Sequence, residues 1–331
     1  MRTLLLAATL LPMIACADAQ PQDEAVGTDI AMTEWSVPWA ASRPRDPIVD
    51  AAGTVWFVGQ VSHYIGRLDP ATGEFGRFEL PAGAGPHNVI VGPDGSLWYA
   101  GNTAAHIGRM DPATGQITRF DMPAGARDPH TLIFAPTGHL WFTVQGDNQV
   151  GRLDPATGDV DLITPAGRSR PYGIIIAPDG TPWIAAFGTN KLLSIDPETL
   201  ALTEHAIPRG DARPRRLVAT SDGAIWYVDY AGGRLGRLDP ASRQFREWDA
   251  PGGTGSRPYA MALDDSERIW FFETGSSPNR LVGFDPESGA FIAGGAPESG
   301  GGTVRHMVYD EASGALWFGT DTNTIGRAVV R

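Results

Sequence analysis

The stretch Gly85-Pro86-His87-Asn88-Val89-Ile90 leads to Pro93-Asp94-Gly95-Ser96-Leu97-Trp98-Tyr99, then to Ile107-Gly108-Arg109-Met110 and the turn Asp111-Pro112-Ala113-Thr114-Gly115. It decides the fold because it repeats. Its tryptophan recurs as Trp56, Trp98, Trp141, Trp183, Trp226, Trp270 and Trp317, at intervals of 42 to 47 residues. Its turn keeps the same step, at Asp69, Asp111, Asp154, Asp196, Asp239 and Asp285. Two markers in phase define a structural repeat, and a period of 40 to 50 residues is that of a propeller blade.

Each unit reads as four short strands. The first is apolar and follows a Pro, as at 88–91, 131–134 and 173–176. A Pro-Asp-Gly type turn leads into the Trp strand, Ile-Gly-Arg marks the third strand, and the fourth ends in Pro, as in Phe120-Asp121-Met122-Pro123. Seven Trp strands predict an all-β, seven-bladed β-propeller with four-stranded antiparallel blades, a single domain over 29–331. The last unit has strands near 305–308, 316–318 and 325–328 and then stops. Met32-Thr33-Glu34-Trp35-Ser36-Val37-Pro38 has the fourth-strand pattern. The N-terminal strand is therefore expected to complete the last blade, which removes an exposed sheet edge. The repeated tryptophans are expected as wedges between blades, and the Asp-Pro turns as hairpin chemistry rather than calcium loops.

Composition agrees. Of 331 residues, 41 are Gly and 27 Pro, which breaks up long helices, while 42% hydrophobic residues are ample for a core. The net charge is −12 and Lys191 is the single lysine, so the basic footprint of a nucleic-acid binder is missing. A monomer is expected. Residues 1–17, with Arg2 and the apolar run 4–14, read as a secretory signal followed by a polar leader over 18–28. Met13-Ile14-Ala15-Cys16 resembles a lipobox, which would anchor the chain by lipid on Cys16. Cleavage after Ala17 or Ala19 would instead release it. Both readings place the protein outside the cytoplasm, periplasmic or tethered to the bacterial envelope. With Cys16 the only cysteine, the mature domain has no disulfide.

In a propeller the inner strands run along a central channel, and residues at their starts gather at one mouth. The residue after the Pro, or its equivalent, is His87, His130, Tyr172, Arg215, Tyr259 and His306 in blades two to seven. The residue before it is Arg43, Arg170, Arg213 or Arg257, with Asp128 in blade three. Three residues beyond the tryptophans stand Gly59, Gly101, Val144, Ala186, Asp229, Glu273 and Thr320. These sets predict an Arg- and His-rich mouth with a few carboxylates. Three of the seven histidines share one repeat position, which fits a ligand or catalytic role and equally fits a polar, solvated funnel. His63, His106, His139 and His205 are expected at the surface. Guanidinium donors suit an anionic or carbonyl-rich ligand, small molecule or peptide. The alternative is that these arginines pair with acids across blades. No His-Glu-x-x-His, nucleophile elbow, phosphate loop or dinucleotide fingerprint is present.

The repeated unit quoted above resembles the streptogramin B lyase (virginiamycin B lyase) family over about 32–327. The resemblance implies a seven-bladed propeller. For the characterised lyases it implies opening of a cyclic depsipeptide antibiotic at its ester by elimination, with Mg²⁺ held by two Glu, a His base and a second His on the preceding blade. A metal on the ester carbonyl acidifies the adjacent Cα–H, and imidazole takes the proton. Carried over by position, the family's Pro-His strand and its following Trp-Phe-x-Glu fall at Tyr259 and Trp270-Phe271-Phe272-Glu273. Glu273 matches a metal ligand, but Tyr259 replaces the base, Arg257 the second Glu and Arg215 the preceding-blade His. A fixed cation at a ligand position repels a metal. A rotated set, Asp128-Pro129-His130 with His87, supplies three of the four parts, with Val144 in place of the last carboxylate.

The expectation is thus an ester- or lactone-opening lyase with His130 as base, His87 assisting, and Mg²⁺ on Glu273 or Asp128. The ligand-binding mouth would comprise Arg43, Arg170, Tyr172, Arg213, Arg215, Arg257, Tyr259, His306 and Asp229. The competing expectation is a ligand- or protein-binding propeller that has lost the lyase residues. A six-bladed sugar-lactone hydrolase is disfavoured by the blade count.

Overall fold

The structure is a computed structural model and describes residues 30–330. The expected signal segment, Cys16 and the expected 18–28 leader lie outside the described residues. Within them, seven four-stranded antiparallel sheets account for every strand, and the one helical element is the 3₁₀ turn Gly253–Gly255. In blade two the strands are Pro86–Val91, Leu97–Gly101, His106–Met110 and Ile117–Asp121, paired in chain order. Blade seven is built from Met307–Asp310, Ala315–Gly319, Thr324–Val329 and the N-terminal strand Met32–Ser36, which places Trp35 opposite Ile325. The first strand of this blade starts two residues later than the sequence pattern gives. The seam is tied by Glu34, whose carboxylate accepts hydrogen bonds from Ser299 N at 2.9 Å and from the hydroxyls of Ser299 and Thr324, both at 2.6 Å.

Each tryptophan packs against the next blade. Trp98 shares a core with Leu132, Leu140 and Phe142, Trp141 with Ile174 and Ile184, and Trp270 with Met307, Leu316 and Phe318. Trp317 packs with Val55 and Phe57 of blade one, which closes the ring. The Ile-Gly-Arg motif has a physical reason in the same register. Gly108 lies opposite Tyr99, where a Cβ would fall inside the ring, and Arg109 lies opposite Trp98 with its guanidinium over the indole. The Asp-Pro turns are hairpins as expected. Asp69 accepts the amide of Ala71 at 2.9 Å, and Gly73 takes a φ of 75° that a side chain would resist.

One irregularity positions the site. The inner strands of blades one to six all break register just after their Pro, between Pro86 and Val89 in blade two and between Pro129 and Leu132 in blade three. A bulge re-aims side chains. The residues singled out after each Pro stand at these breaks.

Candidate functional site

The bulge residues meet at one end of the channel. His87 stacks on His130 with ring centres 3.5 Å apart, and its Nδ1 donates to the His130 carbonyl at 3.1 Å. His130 packs on Tyr172 at 4.4 Å, and the Tyr172 hydroxyl hydrogen-bonds that of Tyr259. Arg215 Nη2 donates to the Tyr259 hydroxyl at 3.0 Å. Its guanidinium sits among four rings, 3.7 Å from the centre of Tyr259, 4.4 Å from Tyr230, 4.6 Å from Phe187 and 4.8 Å from Tyr172. Five repeat-equivalent positions from five blades thus form one contiguous cluster, where the sequence predicted an open rim.

Beneath it lies a second charged group that the sequence reading passed over. Asp46 is fully buried, 3.0 Å from Arg45 Nε and 3.7 Å from Arg216 Nη2, and it accepts a hydrogen bond from Asn88 at 3.2 Å. Arg45 follows Pro44 as His87 follows Pro86, so the repeat frame itself identifies it as the blade-one member of the set that the sequence pattern gave only for blades two to seven. Phe187 and Tyr230 sit four residues beyond Trp183 and Trp226, one step past the position read as facing the mouth.

The electrostatics follow from burial and excess guanidinium. Burial, Arg45 and Arg216 hold His87 and His130 well below the ordinary histidine value, so both rings are neutral near pH 7. Burial opposes ionisation of Tyr172, but Arg215, Arg216 and Arg45 outweigh it and draw this phenol below the ordinary tyrosine range. Its partner Tyr259 is pushed up by burial and by Tyr172. Asp46 is held below the usual carboxylate range: burial opposes this, and Arg45, His306 and Arg216 prevail.

The remaining predicted residues stand apart from the cluster. Arg43, Arg170 and Arg257 are exposed, each with a positive φ just before its Pro, and Arg43 approaches Asp321 at 3.8 Å. Arg213 turns its guanidinium to the carbonyls of Ala212 and Gly210. Asp229 is fully buried, paired with Arg209, and accepts the Arg213 amide at 2.7 Å. His306 faces the far side of the channel. Of the four histidines expected at the surface, His106 is fully buried, its Nε2 3.1 Å from the Tyr99 hydroxyl, because its strand start packs inside the blade.

With this geometry in view, the family model described as the virginiamycin B lyase family matches residues 24–281 and, in an overlapping alignment, 171–331. The chain belongs to the virginiamycin B lyase family. No curated protein sequence matches it. Among solved structures it is similar to virginiamycin B lyase from Staphylococcus aureus, with 22% identity, a TM-score of 0.83, and 92% of this chain and 100% of that one covered. A streptogramin B lyase structure matches at 24% identity and TM-score 0.82, covering 91% and 97%. A catalytically inactive histidine-to-alanine variant of the S. aureus enzyme with quinupristin matches at 23% and 0.83, covering 92% and 100%. At these identities the structures establish the fold, and a fold does not fix chemistry.

The family's implied Mg²⁺ finds no fitting donor set. Glu273 is 1% exposed, and its carboxylate is taken by the Gly252 amide at 2.7 Å and by Arg280 at 2.5 and 2.8 Å. Asp128 accepts the Gly146 amide at 2.6 Å and that of Asp147 at 3.3 Å, capping its loop. Among the described residues no three His, Cys, Asp or Glu side chains come together as a metal site. A cation that wants six oxygens in octahedral array has neither the oxygens nor relief from the arginines here.

Proposed function

We propose that this lyase-family propeller opens an ester or lactone, such as a cyclic depsipeptide, by elimination without a metal, using Tyr172, Tyr259 and Arg215. The observation that carries the reading is the hydroxyl contact between Tyr172 and Tyr259 within hydrogen-bond reach of Arg215. Two exchanges would carry the chemistry: the Arg215 guanidinium acting in place of the metal, and a phenol in place of imidazole.

Tyr172, as phenolate, takes the proton α to a carbonyl. Arg215 donates to the oxygen on which negative charge collects. The electron pair forms a carbon–carbon double bond as the β carbon–oxygen bond breaks, and the carboxylate leaves. Arg215, Phe187 and Tyr230 are the half-buried members of the cluster, so a ligand meets them first. A phenol lowered toward neutral pH is a competent base, and positioned bases of this kind contribute on the order of 10²–10⁴ in rate.

A second reading is favoured by the burial of the phenols. Tyr172 is 4% and Tyr259 1% exposed, so the cluster also suits an exported propeller that binds an anionic or carbonyl-rich ligand at Arg215 without turnover. Incubation with quinupristin, followed by mass spectrometry, separates the two. The elimination reading expects linear product with or without chelator, and its loss in Tyr172→Phe. Activity that requires Mg²⁺ would overturn it. A thermal shift with ligand, abolished in Arg215→Met and unaccompanied by product, would establish binding alone.

A further inference from the structure

The end of the channel opposite the tyrosine cluster holds a cavity of about 540 Å³ that the proposed chemistry does not use. Its walls come from the far halves of the inner strands, including Ile90, Ile133, Ile175, Leu263 and Val308. A volume in this range, apolar walls and a few convergent polar groups are the features of a small-molecule site. The polar groups lie at the inner end, where Arg216 and His306 join the lining.

Arg216 is 5% exposed, yet its Nε and Nη2 have no hydrogen-bond partner, and the nearest carboxylate oxygen, on Asp46, is 3.7 Å from Nη2. Asp46 is itself committed to Arg45 at 3.0 Å and to Asn88 at 3.2 Å. His306 Nδ1 is likewise buried without a partner. Unmade hydrogen bonds on a buried cation cost more than those on a neutral group, and the cost is recovered when an anion supplies acceptors. Arg45 and Arg216 flank the single carboxylate of Asp46, so positive charge is left over. Arg216 also stands over the Tyr172 ring, 5.3 Å from its centre, but a ring face supplies no hydrogen-bond acceptor for Nε and Nη2, and the guanidinium lines the cavity.

We infer that this cavity binds an apolar monocarboxylate, its carboxylate on Arg216 and His306 and its hydrocarbon chain along the Ile and Leu side chains toward the opening. The inference is independent of the elimination reading. Guanidinium and carboxylate match as a two-pronged hydrogen-bonded pair, and the apolar walls gain by covering hydrocarbon.

Isothermal titration of the protein with decanoate tests it. Micromolar binding is expected, weakened by roughly tenfold or more in Arg216→Met, as for loss of a buried charge-paired contact. Decyltrimethylammonium, with the same tail and the opposite charge, and acetate, with the charge and no tail, should not bind. Leu263→Trp narrows the cavity at its half-buried outer part without touching a charge, and it should also weaken decanoate should Arg216→Met fail to fold. Tyr230→Phe, against Arg215 on the mouth side, should leave decanoate binding unchanged, which separates this site from the mouth. Absence of decanoate binding, equal binding of the ammonium analogue, or full affinity in folded Arg216→Met or Leu263→Trp would overturn the assignment.

Discussion

The seams between blades and the channel they surround obey opposite rules. At every seam one repeat position holds the same residue: tryptophan, seven times, packed against the next blade. In the channel one repeat position holds Arg45, His87, His130, Tyr172, Arg215, Tyr259 and His306. Uniformity serves the seams because each presents the same gap to fill. Variety serves the channel because all the blades face one another there, and seven copies of one side chain would repel or leave a void. The repeat therefore carries stability, and departures from it carry the chemistry.

Substitutions can break this contrast. The largest effect should come at a seam: Trp141→Ala removes a nearly fully buried ring and should lower stability by about 3–5 kcal/mol in urea unfolding. Smaller, but still a seam effect, Gly151→Ala forces a methyl onto the Phe142 ring and should cost about 1–3 kcal/mol by the same measurement. In the channel Tyr172→Phe should cost only about 1 kcal/mol, the worth of one buried hydrogen bond, while abolishing the proposed elimination. A loss comparable to that at Trp141 would mean the channel is structural after all.

A pH effect sharpens the comparison further. His87, His130 and His306 fold with values below the ordinary 6.5, and His306, lowered chiefly by burial, lies at about 4. Between the folded value and 6.5 only the unfolded chain binds these protons. Stability from these groups is thus fully present above 6.5 and falls as pH drops toward 4. The melting temperature should decline over that window, and by less in His306→Gln.

The fold was legible because periodicity repeats its signal seven times over. Even the closing strand could be read, since Met32 to Pro38 carries a fourth-strand pattern that blade seven lacks. The channel was legible only in part. His87, His130, Tyr172, Arg215 and Tyr259 share a repeat position and do meet. The carboxylates misled because a position in the repeat says where a side chain starts, not which partner claims it. Glu273 is claimed by Arg280, only seven residues away, and Asp128 by its own loop. Asp46 went unread because it has no equivalent: the matching residue is Asn88 in blade two and Thr131 in blade three.

The proposed chemistry requires that three arginines make Tyr172 an unusually acidic phenol, able to act where the family uses a metal and imidazole. Titrating the near-ultraviolet phenolate absorbance of the intact protein, with Tyr172→Phe as the reference, measures this without a substrate. One phenol should ionise clearly below the ordinary tyrosine range and be missing from the variant. A difference spectrum that stays flat until the ordinary tyrosine range near pH 10 would contradict it.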